Sequence, residues 1–276
     1  MNRFKVSTVI AIYNGEKTLK RAIGSVISQT IFDCVELILI DDGSKDKSKN
    51  IARKFAEKYS KNIFFFENGR NLGIAKTQNR ALKLSHGKYI ARLDQDDLWI
   101  DSQKLAKQLK MFETNPRLGL VGTWAKVVNK KGPNFELIPP LSDQRIRSKL
   151  LLADMFVTPS LMFKKSVVKK IGNYREDLIY GTEDFEFWLR IGKVSELANL
   201  GEYCLRYYFH PGSYSNQRKI EAIGEHLKII KSYAKDYPHY RRAFLKNWIQ
   251  YNLLKIKFLR GLYNYLVPRL AGKIYS

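Results

Sequence analysis

Between residues 6 and 97 the chain repeats one pattern: a short, mostly apolar run, a turn, then a segment whose apolar residues recur every three or four positions. Val6–Tyr13 ends at Asn14-Gly15, and residues 16–29 then place Leu19, Ala22, Ile23, Val26 and Ile27 on one helical face. A second run, Val35–Ile40, stops at Asp41-Asp42-Gly43-Ser44, and Ile51, Phe55 and Tyr59 mark the inward face of the helix that follows. Ile63–Phe66 predicts a third strand, Asn71-Leu72-Gly73 a turn, Ile74–Leu84 a helix, and Lys88–Leu93 a fourth strand that ends at Asp94-Gln95-Asp96-Asp97. Strands alternating with helices predict right-handed crossovers and an α/β fold with a mostly parallel central sheet flanked by helices. In such sheets ligands bind outside the carboxyl ends of the strands, where both acidic clusters fall.

Beyond residue 97 the pattern loosens. The spacing predicts a helix near Lys104–Phe112, a strand near Leu118–Val128 and a helix over Ser166–Ile171. From Gln217 onward basic and aromatic residues dominate and only Glu221, Glu225 and Asp236 are acidic, which predicts a basic helical appendage over residues 216–276 behind a main domain of residues 1–215. There Tyr251, Leu254, Phe258, Leu262 and Tyr265 recur at helical intervals among Lys255, Lys257, Arg260 and Arg269. Such a stripe either lies on an anionic membrane surface or packs on the main domain or a partner subunit.

Composition narrows the picture. At 276 residues with 45% hydrophobic and 27% charged residues the chain can bury a full core, so collagen-like and disordered classes are excluded. A formal charge of +23 predicts attraction to polyanions: nucleic acid, an anionic membrane face or phosphorylated small molecules. Cys34 and Cys204 stand far apart and offer neither a disulfide framework nor a metal pair, as expected of a reducing, cytoplasmic compartment. The apolar opening run is too short for a signal peptide, and no uncharged run approaches the roughly 18 residues that span a bilayer.

Each acidic cluster has a plain structural explanation and a chemical one. Asp41-Asp42-Gly43-Ser44 is either an Asx turn or a site where a carboxylate accepts from a base or ribose. The three carboxylates of Asp94-Gln95-Asp96-Asp97 repel one another unless a cation neutralises them, and an oxygen-rich site with few protein ligands suits Mg²⁺ or Mn²⁺ shared with phosphates. Gly181-Thr182-Glu183-Asp184 before an apolar helical segment is a helix start with favourable dipole charges, or the place of a catalytic acid. His210-Pro211-Gly212-Ser213-Tyr214-Ser215 joins an imidazole and hydroxyls to turn residues.

In this order Ala11-Ile12-Tyr13-Asn14, Ile40-Asp41-Asp42-Gly43-Ser44, Asn71-Leu72-Gly73, Gly87 to Asp97, and Glu183-Asp184 with Trp188-Leu189-Arg190 resemble the family 2 inverting glycosyltransferases of the GT-A fold, over roughly residues 4–215. The resemblance implies a nucleotide-sugar pocket lined by Ala11, Tyr13, Glu16, Asp41, Asp42, Asn71, Gly73, Lys76, Asp94 and Gln95. It implies a divalent metal, Mn²⁺ or Mg²⁺, held by Asp94, Asp96 and His210, the general base at Asp184, and an acceptor side formed by Glu183, Trp188 and Arg190. Where the family often has Ala-Arg-Asn, this chain has Thr77-Gln78-Asn79, so a phosphate-binding arginine is missing and Lys76 or Arg80 would have to replace it.

The implied function is transfer of a sugar from a nucleotide donor to a hydroxyl on a growing surface glycan, free or lipid-linked, by a cytoplasmic enzyme that can rest peripherally on the inner face of the membrane. A metal-dependent nucleotidyltransferase shares the acidic pairs and the βα fold, and a non-enzymatic RNA- or anionic-surface-binding protein shares the charge. The aromatic residues do not follow an RNP-like strand pattern, which argues against nucleic acid.

Overall fold

Strands buried on both faces read as continuous apolar runs, and the first two strands do so because helices cover both sides of the sheet. In a computed structural model, which describes residues 3–129, 132–209 and 218–256, β1 (Val6–Ile12) lies between β2 (Val35–Asp41) and β4 (Tyr89–Arg92), and β3 (Ile63–Glu67) continues beyond β2, all parallel. Val35, Leu37 and Leu39 point to one core and Ile38 and Ile40 to the other, the alternation that a strand imposes. The first core packs under α1 (Leu19–Ile27), α2 (Ser48–Lys58) and α4 (Lys104–Thr114); the second under α3 (Ile74–Leu84), α5 (Asp143–Lys149), α6 (Lys165–Ile171) and α7 (Glu183–Val194).

The expected βα repeats are therefore present, with shorter bounds: the first helix begins at Leu19 rather than Glu16 because residues 13–18 form a loop. The other half of the sheet is mixed. β4 pairs antiparallel with β8 (Met162–Lys164), which pairs antiparallel with β6 (Leu118–Asn129). β9 (Glu196–Phe209) runs parallel to β6, and the short β5 (Leu98–Trp99) and β7 (Phe135–Leu137) add antiparallel edges. The whole forms one nine-stranded sheet in which the chain moves outward through β2 and β3 and then reverses to the far side of β1. That reversal opens a crevice at the carboxyl ends of β1 and β4.

The C-terminal helices α8 (Lys219–Ser232) and α9 (Tyr240–Lys255) are not separate from this body: Ile229, Ile230, Tyr233, Tyr237 and Ala243 belong to the same core as α7. Of the stripe noted in the sequence, Leu254 is buried at 1% exposure and Tyr251 packs beside Gly224 of α8, so the described part of it faces protein. Phe258, Leu262 and Tyr265 lie outside the described residues. The face of α9 open to solvent is a different one, carrying Leu245, Trp248, Ile249, Leu253 and Ile256 at its end. Replacing Leu254 by Ala is expected to cost about 2–5 kcal/mol of stability as a cavity in a packed interface. Leu253→Ala, one residue away, should stay within about 0.5 kcal/mol in the same chemical denaturation experiment; equal losses would show that both faces are covered.

Candidate active site

The ends of β1, β2 and β4 meet because their registers align, Ile12 beside Asp41 and Val9 beside Arg92. Three loops leave from there and are laced to one another by side chains that serve backbone groups. Asp41, fully buried, accepts from the N–H groups of Gly43 (3.0 Å) and Ser44 (2.9 Å), the Asx turn weighed from the sequence. Gly43 sits at φ 84°, and a Cβ there would lie 2.6 Å from the Arg70 carbonyl carbon, so the turn can press against the loop between β3 and α3 only as glycine. Asp42 holds that loop, accepting from Leu72 N–H (2.8 Å), Gly73 N–H (3.0 Å) and the Asn68 amide (2.8 Å). Gln95 pairs with the backbone of Tyr13 in both directions, at 2.9 and 2.8 Å.

These contacts correct part of the expected pocket. Asp41 has no exposed surface and shapes the turn through one of its oxygens. Gln95 likewise uses both ends of its amide on Tyr13. Glu16 turns toward α2 and accepts from the Lys47 N–H at 3.1 Å. Ala11 remains partly accessible, Tyr13 is 45% exposed, and Asn71 and Lys76 are exposed beside Gly73 at the start of α3. Arg80 is committed to the Glu67 carbonyl and the Asn68 side chain, both at 2.6 Å, so of the two candidate phosphate cations only Lys76 stands in solvent.

The fourth strand delivers the acids. Asp97 is tied to β9 by accepting from the Tyr208 N–H at 2.8 Å, while its second oxygen is buried without a partner. Burial, then Asp94 and Asp96 beside it, pushes its carboxyl well above the usual range. Asp94 reaches solvent at its tip, yet the protein around its base raises its carboxyl to about 6, with Arg92 pulling down and Asp96 and Asp184 pushing up. Asp96 follows it on the same loop, and the Arg21 guanidinium anchors that loop through the Asp96 carbonyl.

Helix α7 brings the second set. Gly181 at φ 81° and Thr182 set its start, and Glu183, Asp184 and Glu186 occupy its first turn, where the helix dipole favours acids. Arg92, at 2% exposure, ion-pairs with Asp184 and lies 3.5 Å from Asp94. Arg92 falls inside the Gly87–Asp97 segment, and a cation two positions before Asp94 shares its side of the strand, the spacing by which the sequence marks it. Tyr174 lies 5.8 Å from the guanidinium and stacks on Phe187, and Asn79 locks its backbone by two bonds of 2.9 Å. Glu183, at 2% exposure with one oxygen lacking a partner, is raised to about 8 by burial and by Asp184.

Two residues expected on the acceptor side are structural. Trp188 is 4% exposed and packs edge-on against Phe156, because it falls on the core face of α7. Arg190 binds Glu186 through paired contacts of 2.9 Å and caps the carbonyls of Ile171 and Asn173 at 2.8 Å. Glu186 also accepts from the Tyr233 hydroxyl and so braces α7 from within. His210 lies outside the described residues.

Known proteins resemble this chain in sequence and in fold. The sequence model described as Glycosyl transferase family 2 matches residues 7–172. A glycosyltransferase of Methanocaldococcus jannaschii is 33% identical over 211 residues, 75% of this chain and 71% of that protein. The UDP-Glc:alpha-D-GlcNAc-diphosphoundecaprenol beta-1,3-glucosyltransferase WfgD of Escherichia coli is 26% identical over 261 residues, 94% of this chain and 97% of its own. Among solved structures, the mannosyltransferase PcManGT of Pyrobaculum calidifontis, in complex with GDP-Man and Mn²⁺, superposes with a TM-score of 0.67 at 18% identity over 98% of this chain and 75% of that one, a likeness of fold. A family match over more than half of the sequence, on a GT-A fold whose acidic loops meet at one crevice, leads to one conclusion: the chain belongs to glycosyl transferase family 2.

Proposed function

We propose that the protein transfers a sugar, with inversion, from a nucleotide-sugar donor to a hydroxyl of a glycan or lipid-linked glycan, with Asp184 as general base. The observation that carries this reading is the convergence of Asp184, from α7, and Asp94, from the β4 loop, on the Arg92 guanidinium. Arg92 engages one oxygen of Asp184, which leaves the other for a proton. The acceptor oxygen attacks the anomeric carbon as its proton passes to Asp184; the bond from that carbon to the diphosphate breaks, and the nucleoside diphosphate leaves. Glu183 stays protonated at neutral pH and is unsuited to that role. Family membership sets the nucleotidyltransferase and RNA-binding readings aside.

Asp94 and Asp96 are the residues that would hold a divalent cation. The raised Asp94 carboxyl marks a negative cluster that Arg92 alone does not balance, and hard carboxylate oxygens suit Mn²⁺ or Mg²⁺. Among the described residues no three His, Cys, Asp or Glu side chains form a cage, in keeping with an ion that takes its other ligands from diphosphate and water. Such an ion would stabilise the charge on the departing diphosphate. The donor half of the crevice would be read by Ala11, Tyr13, Asp42, Asn71, Gly73 and Lys76.

The outer face of α9 gives this reading a second part, contact with an anionic lipid surface at the inner side of a membrane. Its apolar residues are exposed, and the helix carries Arg241, Arg242, Lys246 and Lys255 with no acidic residue. Among the described residues no helix is long and apolar enough to cross a membrane, so the contact would be peripheral.

Four outcomes test these assignments. Asp184→Asn should lower transfer about 100- to 10,000-fold and leave donor affinity nearly unchanged, whereas Glu183→Gln stays active; an active Asp184→Asn beside a dead Glu183→Gln would move the base. Glu183 also makes stability pH-dependent: its folded carboxyl titrates near 8 against an ordinary 4.5, so its contribution is complete below 4.5 and is lost as pH rises through 8. Glu183→Gln should therefore lose less Tm than the wild type between pH 6 and 9. Asp96→Ala should abolish Mn²⁺-dependent donor binding at an unchanged Tm, and normal turnover in EDTA would remove the metal. In flotation with phosphatidylglycerol vesicles, Trp248→Glu with Ile249→Glu in the full chain should release the protein; binding equal to wild type would refute the lipid contact.

A further inference from the structure

The start of α7 carries an irregularity that the reaction does not by itself require. Thr182 stands at the cap position, where a hydroxyl ordinarily accepts from the free N–H groups of the first turn, yet it makes no such bond. Its hydroxyl instead donates to Glu225 of α8 at 2.7 Å. The same carboxylate accepts from the Tyr180 N–H at 3.2 Å and the Ile179 N–H at 3.3 Å. One buried side chain, at 9% exposure, thus gathers three donors from the four residues that lead into the helix. The neighbouring His226 packs edge-on against Phe185 at 4.8 Å, so α8 grips both sides of Asp184 in sequence.

We infer that Glu225 is a positioning residue: by fixing residues 179–182 it sets where α7 begins, and hence where Asp184 stands relative to Arg92 and the acceptor. This rests on Asp184 being the base. The alternative is that Glu225 only adds stability, as Tyr233 and Tyr237 do farther along α7 through Glu186 and the Leu189 carbonyl, each at 2.7 Å. The two differ in what they move. A loop shift of about 1 Å at the base costs on the order of 100-fold in rate, while the donor residues stand at the ends of β1 and β2 and at the start of α3, away from the residues 179–182 whose hydrogen bonds Glu225 accepts.

The test uses full-length Glu225→Ala, Glu225→Gln, Thr182→Val and Asp184→Asn. Turnover is followed with Mn²⁺ and whichever of UDP-glucose, UDP-N-acetylglucosamine and GDP-mannose the wild type consumes, and affinity is titrated with the matching nucleoside diphosphate. Glu225→Ala and Thr182→Val should lower kcat by about 10- to 100-fold with nucleotide affinity within about two-fold. Glu225→Gln keeps an acceptor oxygen for the Thr182 hydroxyl and should recover most of the rate. Hydrogen exchange should quicken in peptides covering residues 178–186 of Glu225→Ala and not in β1 or β2. The inference is overturned by unchanged kcat in both Glu225→Ala and Thr182→Val, by affinity falling in step with kcat, or by Glu225→Gln failing as badly as Ala. If Glu225→Ala does not fold, Thr182→Val and Glu225→Gln decide alone. A fully active Asp184→Asn would instead strike the base assignment, whatever the Glu225 variants do.

Discussion

A guanidinium buried at the end of β4 sets the geometry of this active site. Burying Arg92 at 2% exposure is tolerable only because Asp184 and Asp94 meet it, and taking away one partner of such a buried pair typically costs about 3–5 kcal/mol. The first turn of α7 and the acidic loop after β4 are therefore obliged to meet. Around that contact, Asn79 of α3 fixes the backbone of Tyr174, whose ring stacks on Phe187 of α7 and lies beside the guanidinium. Four elements distant in sequence converge on one charge.

The donor side follows a different principle. Its carboxylates and amides satisfy backbone groups before they face any ligand: Asp41 and Asp42 order their own turn and the loop before α3, and Gln95 is clamped to Tyr13. Short loops at the mouth of a parallel sheet leave many N–H groups without strand partners, and side chains that accept from them make the crevice rigid. Residues that look like ligand contacts in a motif can thus be the frame that holds the contacts in place.

The C-terminal helices complete that frame. Tyr233, Tyr237 and Glu225 reach α7 by hydrogen bonds, and Ile229 and Ile230 extend its core, so α8 and α9 stabilise the helix that carries Asp184. Cutting the chain before them would expose that core. What α9 leaves uncovered is a second apolar face, opposite in use to the stripe that packs inward.

Much of this was legible in the chain itself. The runs Val6–Tyr13 and Val35–Ile40, each followed by turn residues and a three-to-four periodicity, determined the βα repeats and put both acidic clusters at strand ends, because period and turn chemistry are local properties. In the second half the helices near Lys104–Phe112 and Ser166–Ile171 and the strand near Leu118–Val128 were legible, but not the mixed pairing: β8 and β6 are placed by long-range contacts, which leave no trace in either strand alone. Which acids reach solvent was likewise a tertiary decision. Glu183 and Asp184 are adjacent and chemically alike, yet one is buried, with its carboxyl pushed up to about 8, and the other is paired with Arg92, since consecutive helical residues point about 100° apart and only one direction meets β4. The same rotation sends Leu254 inward and Leu253 outward: the sequence set apolar residues on both sides of α9, and the surface it packs on decided which of them are covered.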